Sequence, residues 1–399
     1  MGERLRLFLP VYLPTFLLAF GQGMLVPILP LYALTFNDSF SLASLVVSAA
    51  GIGTVLADLP SGVLLDRIGR RRSMMIGTIS IAICTVGLAL ATTYWLLIAC
   101  RLTAGVGTAL WNISRMAYLA ESTAPQARGR AISTFGGISR FGTFAGPAVG
   151  GLLGTFFGLQ APFYGTAALA FAAALVSFFY IRETGPVSRK PKHLRWAILG
   201  ELARSHGREL LAAGSAQVFA QMIRQGRQIV VPLYGASVLG LDVAQVGSVV
   251  SLSAAIDMSL FIPAGMIMDR FGRKFAAVPS FAVMAIGMAL IPLAADYTGL
   301  LIAVAVIGLG NGLGSGTMFT LGADLAPPEA TGEFLGLWRL IGDLGSTSGP
   351  VVVGAVADLI GLGAAALALA GVGALSAVTL SVFVKETLAS EPKAIVKVG

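Results

Sequence analysis

The sequence predicts an all-α membrane protein with twelve transmembrane helices in two pseudo-symmetric bundles of six. Three observations carry that reading. The chain is 56% hydrophobic and only 12% charged, whereas soluble domains carry about 25% charged residues. It contains a dozen apolar runs, each of roughly 20 residues, enough to cross a hydrocarbon layer of about 30 Å as a helix. Polar landmarks also recur at a constant offset of 203 residues, so the second half repeats the first.

The runs fall at 7–33, 42–65, 74–92, 95–120, 131–157 and 161–182, then at 209–235, 244–268, 275–295, 298–323, 333–357 and 363–384. The first is too long for a signal-peptide core and no small-residue cleavage site closes it, so it reads as a retained span. The 50 glycines suit membrane helices, which approach closely through small residues. Cys84 and Cys100 lie inside apolar runs and read as packing residues. His193 and His206 share one polar loop and carry no site signal.

Orientation follows from the positive-inside rule. Arg4, Arg6, the run Arg67 to Arg72, Arg128, Arg130, the 183–208 segment, Arg270 to Lys274 and the tail share one side. The loops TFNDSFS, TTYW, GLQAP, GASVLGLDVAQ, ADYTG and DLIGLG, on the other side, contain no Lys or Arg. Both termini are therefore expected in the cytoplasm, in a plasma (inner) membrane. The chain divides into a first bundle (1–182), a cytoplasmic linker (183–208), a second bundle (209–385) and a cytoplasmic tail (386–399). The net charge of +8 reads as topology and attraction to anionic lipid. Nucleic acid is not expected as a partner, because the linker lacks stacking aromatics.

The repeat pairs GVLLDRIGRRR with GMIMDRFGRK. Gly62, Asp66, Gly69 and Arg70 match Gly265, Asp269, Gly272 and Arg273. It also pairs Gly105 and Gly107 with Gly308 and Gly310, Glu121 with Asp324, Pro125 with Pro328, and Gln22-Gly23 with Gln225-Gly226. Gly142, Gly146 and Pro147 match Gly345, Gly349 and Pro350, and the RET at 182–184 matches the KET at 385–387. Two parallel halves of this kind read as transporter architecture.

These residues resemble the major facilitator superfamily. The hinge Gly62–Arg72 looks like its signature loop between helices 2 and 3. ACRLTAGVGTA around Arg101 is similar to its helix-4 signature, with Ala104 where the pattern often has Gln. GTFAGPAVGG (Gly142, Gly146, Pro147, Gly150, Gly151) resembles the helix-5 signature of its twelve-span drug:proton antiporter branch, with Ser133 in place of a first Gly. The resemblance implies a monomeric secondary transporter, no cofactor and no enzymatic activity. It also marks Arg101 as the arginine that exchanges partners during proton coupling.

The hinge residues Gly62, Asp66, Arg67, Gly69, Arg70 and Glu121, with Gly265, Asp269, Gly272 and Arg273, are expected to form a cytoplasmic gate. Asp66 ends a span and can meet the positive N-terminus of the helix that starts near Glu333. Arg70 can pair with Asp66 or Glu121. Arg71 and Arg72 read as leaflet anchors.

Ionisable groups inside spans are costly and by default functional. Asp58, Asp257 and Asp343 are the proton-carrier candidates, with Arg101 their partner. Arg140 stands at the repeat position of Asp343, so the two are expected to face one cavity and pair. On the seventh span Gln217, Gln221, Arg224 and Gln228 recur at helical spacing as one cavity-lining stripe, with Arg227 beside it. Gln22, Trp111, Asn112 and Trp338 complete the candidate cavity. Arg115 and Arg339, nearer the span ends, are expected to snorkel.

GLGNGLGSG (308–316) lies in a span, so it reads as helix packing and not as a dinucleotide loop. No P-loop, nucleophile triad or metal-ligand set is legible. The expected function is proton-coupled efflux of small amphiphilic molecules by alternating access. Transport of an organic anion or lysolipid, held by Arg140, Arg224 and Arg227, is the alternative. A channel would need neither the repeat nor paired hinges.

Overall fold

The computed structural model describes residues 8–123, 128–181, 200, 204, 207–326 and 331–388. No strand occurs among them. The first half comprises α1 (Leu13–Leu34, after a π turn at Phe8–Tyr12), α2 (Phe40–Ile68), α3 (Arg70–Ala89), α4 (Tyr94–Ser122), α5 (Arg128–Phe157) and α6 (Ala161–Tyr180). The second comprises α7 (Gly207–Ser237), α8 (Val243–Ser259, continued by Phe261–Phe271), α9 (Arg273–Leu290), α10 (Tyr297–Leu313, continued by Thr317–Leu325), α11 (Thr331–Ile360) and α12 (Leu362–Phe383).

Among the described residues, 9 helices are long and apolar enough to cross a membrane, and α8, bent by 41°, makes a tenth. Helices α5 and α7, of 30 and 31 residues, complete the predicted twelve. The predicted linker 183–208 (apart from residues 200, 204, 207 and 208), the RET at 182–184, Pro125, Pro328 and most of the 386–399 tail lie outside the described residues.

The repeat is visible in local structure. Helices α2 and α4 are capped by Ser39 and Thr93, whose hydroxyls accept from the N–H groups of Leu42 and Leu96. Residues 203 further on, Asp242 and Asp296, cap α8 and α10 in the same way. Gly105 abuts Ala50, and its mate Gly308 abuts Ser253. The basic hinge is a single residue wide: Gly69 (φ 87°) separates α2 from α3 and Gly272 (φ 111°) separates α8 from α9. An L side chain rarely adopts that backbone, which is why glycine stands in both. The arginines predicted to lie in a loop before residue 74 instead form the first turn of α3.

Each half has its own core. Ile223, Phe281, Met284 and Leu369 centre the cluster joining α7 to α12. Two clusters, around Met74 and Ala170 and around Ile28, Val46 and Phe163, hold α1 to α6. The halves meet along α2 against α11 and α5 against α8.

Those seams are tight only away from the hinges. At the hinge-distal end the Asp358 carboxylate accepts from Ser39 Oγ (2.7 Å) and from the N–H groups of Phe40 (2.7 Å) and Ser41 (3.0 Å). On the other seam Ser251 Oγ donates to Phe144 O (2.9 Å) and accepts from the Ala148 N–H (2.8 Å). Toward the hinges, a Cβ added at Gly62, Gly136, Gly137, Gly265 or Gly336 meets nothing within 4 Å. The molecule is open at the end that carries the basic hinges.

Candidate functional site

The hinges act within each half. Arg70 Nη2 meets Glu121 Oε1 at 2.6 Å, joining the start of α3 to the end of α4. Its repeat mate Arg273 meets Asp324 Oδ2 at 2.7 Å, joining α9 to the end of α10. Asp66 and Asp269 make no ion pair among the described residues, and Arg67 is exposed. The expected Asp66 latch onto α11 is therefore not formed. Its physical reason is the opening at this end, which parts α2 from α11 below Asp58.

Two participants in the second hinge went unread in the sequence: Asp324 as an ion-pair partner and Glu386. Glu386 accepts from the N–H groups of Arg273 (2.8 Å) and Lys274 (2.9 Å), capping α9, and from those of Thr387 and Leu388. Gly272 leaves the room, since a Cβ there would stand 2.5 Å from Glu386 Oε2. The KET repeat was the available signal. Burial works to raise the Glu386 carboxyl, but its backbone donors hold it below the ordinary glutamate range. A depressed value gives stability that is present above the unfolded pKa and lost as pH falls through the folded one. Glu386→Gln should therefore lower the thermal midpoint at neutral pH. The difference from wild type should vanish below about pH 4, as scanning fluorimetry would show.

Between the halves lies a cavity of about 490 Å³. Gln22, Arg101, Arg227, Gln228 and Asp257 line it as expected, and Gln225 joins them. Gln225 is the repeat mate of Gln22, so the repeat already held that signal. Arg101 forms no ion pair among the described residues: its guanidinium donates to Val46 O and Val47 O, both at 3.4 Å. Arg227 donates to Ser253 Oγ (3.2 Å) and to Arg224 O (3.3 Å). Thr54, Thr85, Thr108, Thr143 and Thr347 alternate with Leu25, Val26, Leu29, Val47 and Ile81 around the wall.

Of the predicted stripe on α7, Gln228 lines the cavity, and Gln217, Gln221 and Arg224 are turned out of it. Gln217 is buried, with Gln217 and Gln221 set against Gly342 of α11. Arg224 donates to Gly314 O at 2.9 Å and lies over the Phe281 ring. Gly314 sits at the break in α10, and its carbonyl also accepts from the Thr317 N–H (3.2 Å) and hydroxyl (2.8 Å). Gly308, Gly310 and Gly312 pack closely on Ser253, Met284 and Leu260, as the packing reading of 308–316 expects, and the helix breaks only at the end of the run. Trp111 is buried in a bundle core, and Trp338 donates its Nε1–H to Met318 O (2.9 Å) in the other. Neither these nor Asn112 lines the cavity.

The intramembrane charges are paired differently from expectation. Arg140 Nη1 meets Asp257 Oδ1 at 2.9 Å, not Asp343. Asn311 Nδ2 and Ser315 Oγ also donate to Asp257, at 2.8 and 3.2 Å. Arg339 does not snorkel. Its Nη2 lies 3.3 Å from Asp58 Oδ2 across the seam, and its Nε 3.6 Å from Asp343 Oδ2 one turn along α11. Asp58 Oδ1 and Asp343 Oδ2 are buried without a hydrogen bond. The separation of Arg140 from Asp343 follows from the packing: α5 lies on α8 and α11 on α2.

A family model described as the Major Facilitator Superfamily matches residues 11–346 and again 214–397. The chain belongs to the major facilitator superfamily. An uncharacterized MFS-type transporter of Methanocaldococcus jannaschii is 24% identical over 365 residues, covering 91% of this chain and 94% of that one. Tetracycline resistance protein, class C, of Escherichia coli is 27% identical over 350 residues, covering 85% and 86%. A crystal structure of a D-xylose-proton symporter superposes with a TM-score of 0.80 at 19% identity, covering 97% and 99%; at that identity the likeness shows the fold. The protein is thus a multi-pass membrane transporter of the superfamily.

In this superfamily member the helix-5 glycines serve two interfaces. Gly142, Gly146 and Gly150 face α1, where added Cβ atoms would strike the backbone of Phe20, Gly23 and Met24. Gly151 faces the other half, 2.7 Å from Val243 O by the same measure, and Pro147 O lies beside Gly247. One helix therefore binds its own bundle and the partner bundle through one motif.

Proposed function

We propose that the protein exports small amphiphilic molecules from the cytoplasm by alternating access, in exchange for protons. The observation that carries this is a central cavity between two repeat-related halves, closed at one end and open at the end with the basic hinges. By the positive-inside rule that end is cytoplasmic, so the cavity stands ready to load from inside the cell. Tetracycline and multidrug resistance relatives support the substrate class. The cell membrane is then the inner membrane, with the bundles and linker divided as the repeat divides them.

A second reading draws on the cavity walls. Arg101 and Arg227 both line it, and neither has a carboxylate within ion-pair distance among the described residues, while Asp257 is taken by Arg140. This favours anionic or acceptor-rich amphiphiles over cations. Inverted membrane vesicles test both readings. Uptake of tetracycline, a carboxylate-bearing dye and a quaternary ammonium dye would be followed under a proton gradient. Uptake that collapses with a protonophore supports exchange. Preference for the first two, lost in Arg227→Gln, supports the cavity reading. Non-saturating uptake would point to a channel.

A further inference from the structure

The two halves are tied by two ion pairs related by the internal repeat. Each joins an acid on α2 or α8 to an arginine on α11 or α5, and these helices are repeat mates. Asp58–Arg339 lies one helical turn nearer the basic end than Arg140–Asp257, because both partners are displaced by four residues from the repeat positions. Beyond them toward the hinges, Gly62 and Gly336 on one seam, and Gly136, Gly137 and Gly265 on the other, meet open space. The pairs stand at the edge where the cleft begins.

The pairs differ in one respect. Asp257 is fully engaged by Arg140, Asn311 and Ser315. Asp58 and Asp343 instead compete for one guanidinium, and each keeps a buried oxygen without a hydrogen bond. Among the described residues no second cation lies within ion-pair distance of Asp58 or Asp343. From α4 comes Arg115, which stacks on Phe135 at 4.2 Å and on Trp111, with no ion pair among the described residues. From α7 come only the amides Gln217 and Gln221. The described stretches of α1 and α12 carry no charged residue.

We propose that Asp58, Arg339 and Asp343 form the coupling switch of the exchanger, in which a proton on Asp58 releases Arg339 to Asp343 and breaks the ion pair between α2 and α11. The inference rests on the proton-exchange reading above. In the conformer seen here two carboxylates share one guanidinium, so the cluster carries one negative charge in excess, and a single proton taken from water onto Asp58 neutralises it. With Asp58 ionised, Arg339 bridges the seam and holds the conformer seen here. With Asp58 protonated, Arg339 pairs within its own helix and no ion pair is left between α2 and α11 at the edge of the cleft. The empty, unprotonated carrier is thereby kept from crossing, which an exchanger requires. The proton is taken from water on one side and returned to water on the other.

Distance measurement between spin labels tests this in the full chain in nanodiscs. Labels replace the exposed Arg72 and Arg270, one in each half at the basic end, with Cys84 and Cys100 changed to alanine. Wild type should show the long distance at ~pH 8 and gain a shorter population at ~pH 5, as a proton enters the cluster. Asp58→Asn should show the shorter population at both values, and Asp343→Asn the long distance at both. Asp58→Glu should restore a pH response, which separates switching from simple misfolding. Two asparagine variants that shift in the same direction, or an Asp58→Asn protein with the wild-type response, would overturn the switch. In parallel, wild-type liposomes loaded with a pH dye receive tetracycline. A pH-dependent distance without proton movement would sink the exchange reading; proton movement with an unchanged Asp58→Asn response would sink the switch alone.

Discussion

Replacing Gly150 by leucine is expected to leave almost no folded protein. Helix α5 lies so close to α1 that a Cβ at Gly150 would clash with Met24 O and stand 2.7 Å from Met24 Cα. Backbone atoms cannot rotate away as a side chain can, so the two helices must part along the whole contact. Overpacking of a well-packed core typically costs about 1–3 kcal/mol, and a leucine forced against backbone lies at or above the top of that range. Gly146 presents the same obstacle, with Phe20 O at 2.6 Å and Gly23 Cα at 2.8 Å from the added atom. Gly137, on the same helix, faces open space. Gly137→Ala should therefore be neutral or stabilising by up to about 1 kcal/mol through helix propensity. Gly151→Leu should spare the first half and strike its seam with α8. Size-exclusion yield and thermal midpoint distinguish the three outcomes.

Removing Arg140 is the second large change. Its partner Asp257 sits at the seam with a side chain 14% exposed, so Arg140→Ala leaves a largely buried carboxylate with only Asn311 and Ser315 as donors. Breaking one side of a buried pair costs about 3–5 kcal/mol; partial exposure of Arg140 itself, at 27%, places the expected loss near the lower figure. The cost comes from the orphaned charge, so Arg140→Met with Asp257→Met should recover much of the stability that either change loses. Thermal unfolding of the two single variants and the double variant, treated as a cycle, measures this. An additive result would mean that the two side chains do not interact.

The sequence carried the fold unusually far because membrane helices announce themselves by length and composition, and because the duplicated half repeats polar residues, not only leucines. The capping residues Ser39 and Asp242, the hinge glycines, and the Arg70–Glu121 and Arg273–Asp324 pairs all obey the 203-residue register. What local pattern could not supply was rotation and partner choice. Helical spacing placed Gln217, Gln221, Arg224 and Gln228 on one stripe, yet the bundle turns most of that stripe toward α10 and α11. There Arg224 donates to the Gly314 carbonyl at the break in α10. Repeat position set Arg140 beside Asp343 in expectation, whereas the swap of seam partners sends Arg140 to Asp257 and gives Asp343 to Arg339. Charge pairing between halves depends on which helices abut, and only the folded molecule decides that.

The proposal that the halves alternate around the cavity can be tested most directly by locking the closed end. Ser39 Oγ and Asp358 Oδ2 are 2.7 Å apart across the seam at that end. Cysteines at 39 and 358, in a background lacking Cys84 and Cys100, should join on oxidation and hold the halves as seen here. Transport in inverted vesicles should stop when the bond forms and return on reduction, while binding from the basic end persists. Undiminished transport through the oxidised protein would contradict the account.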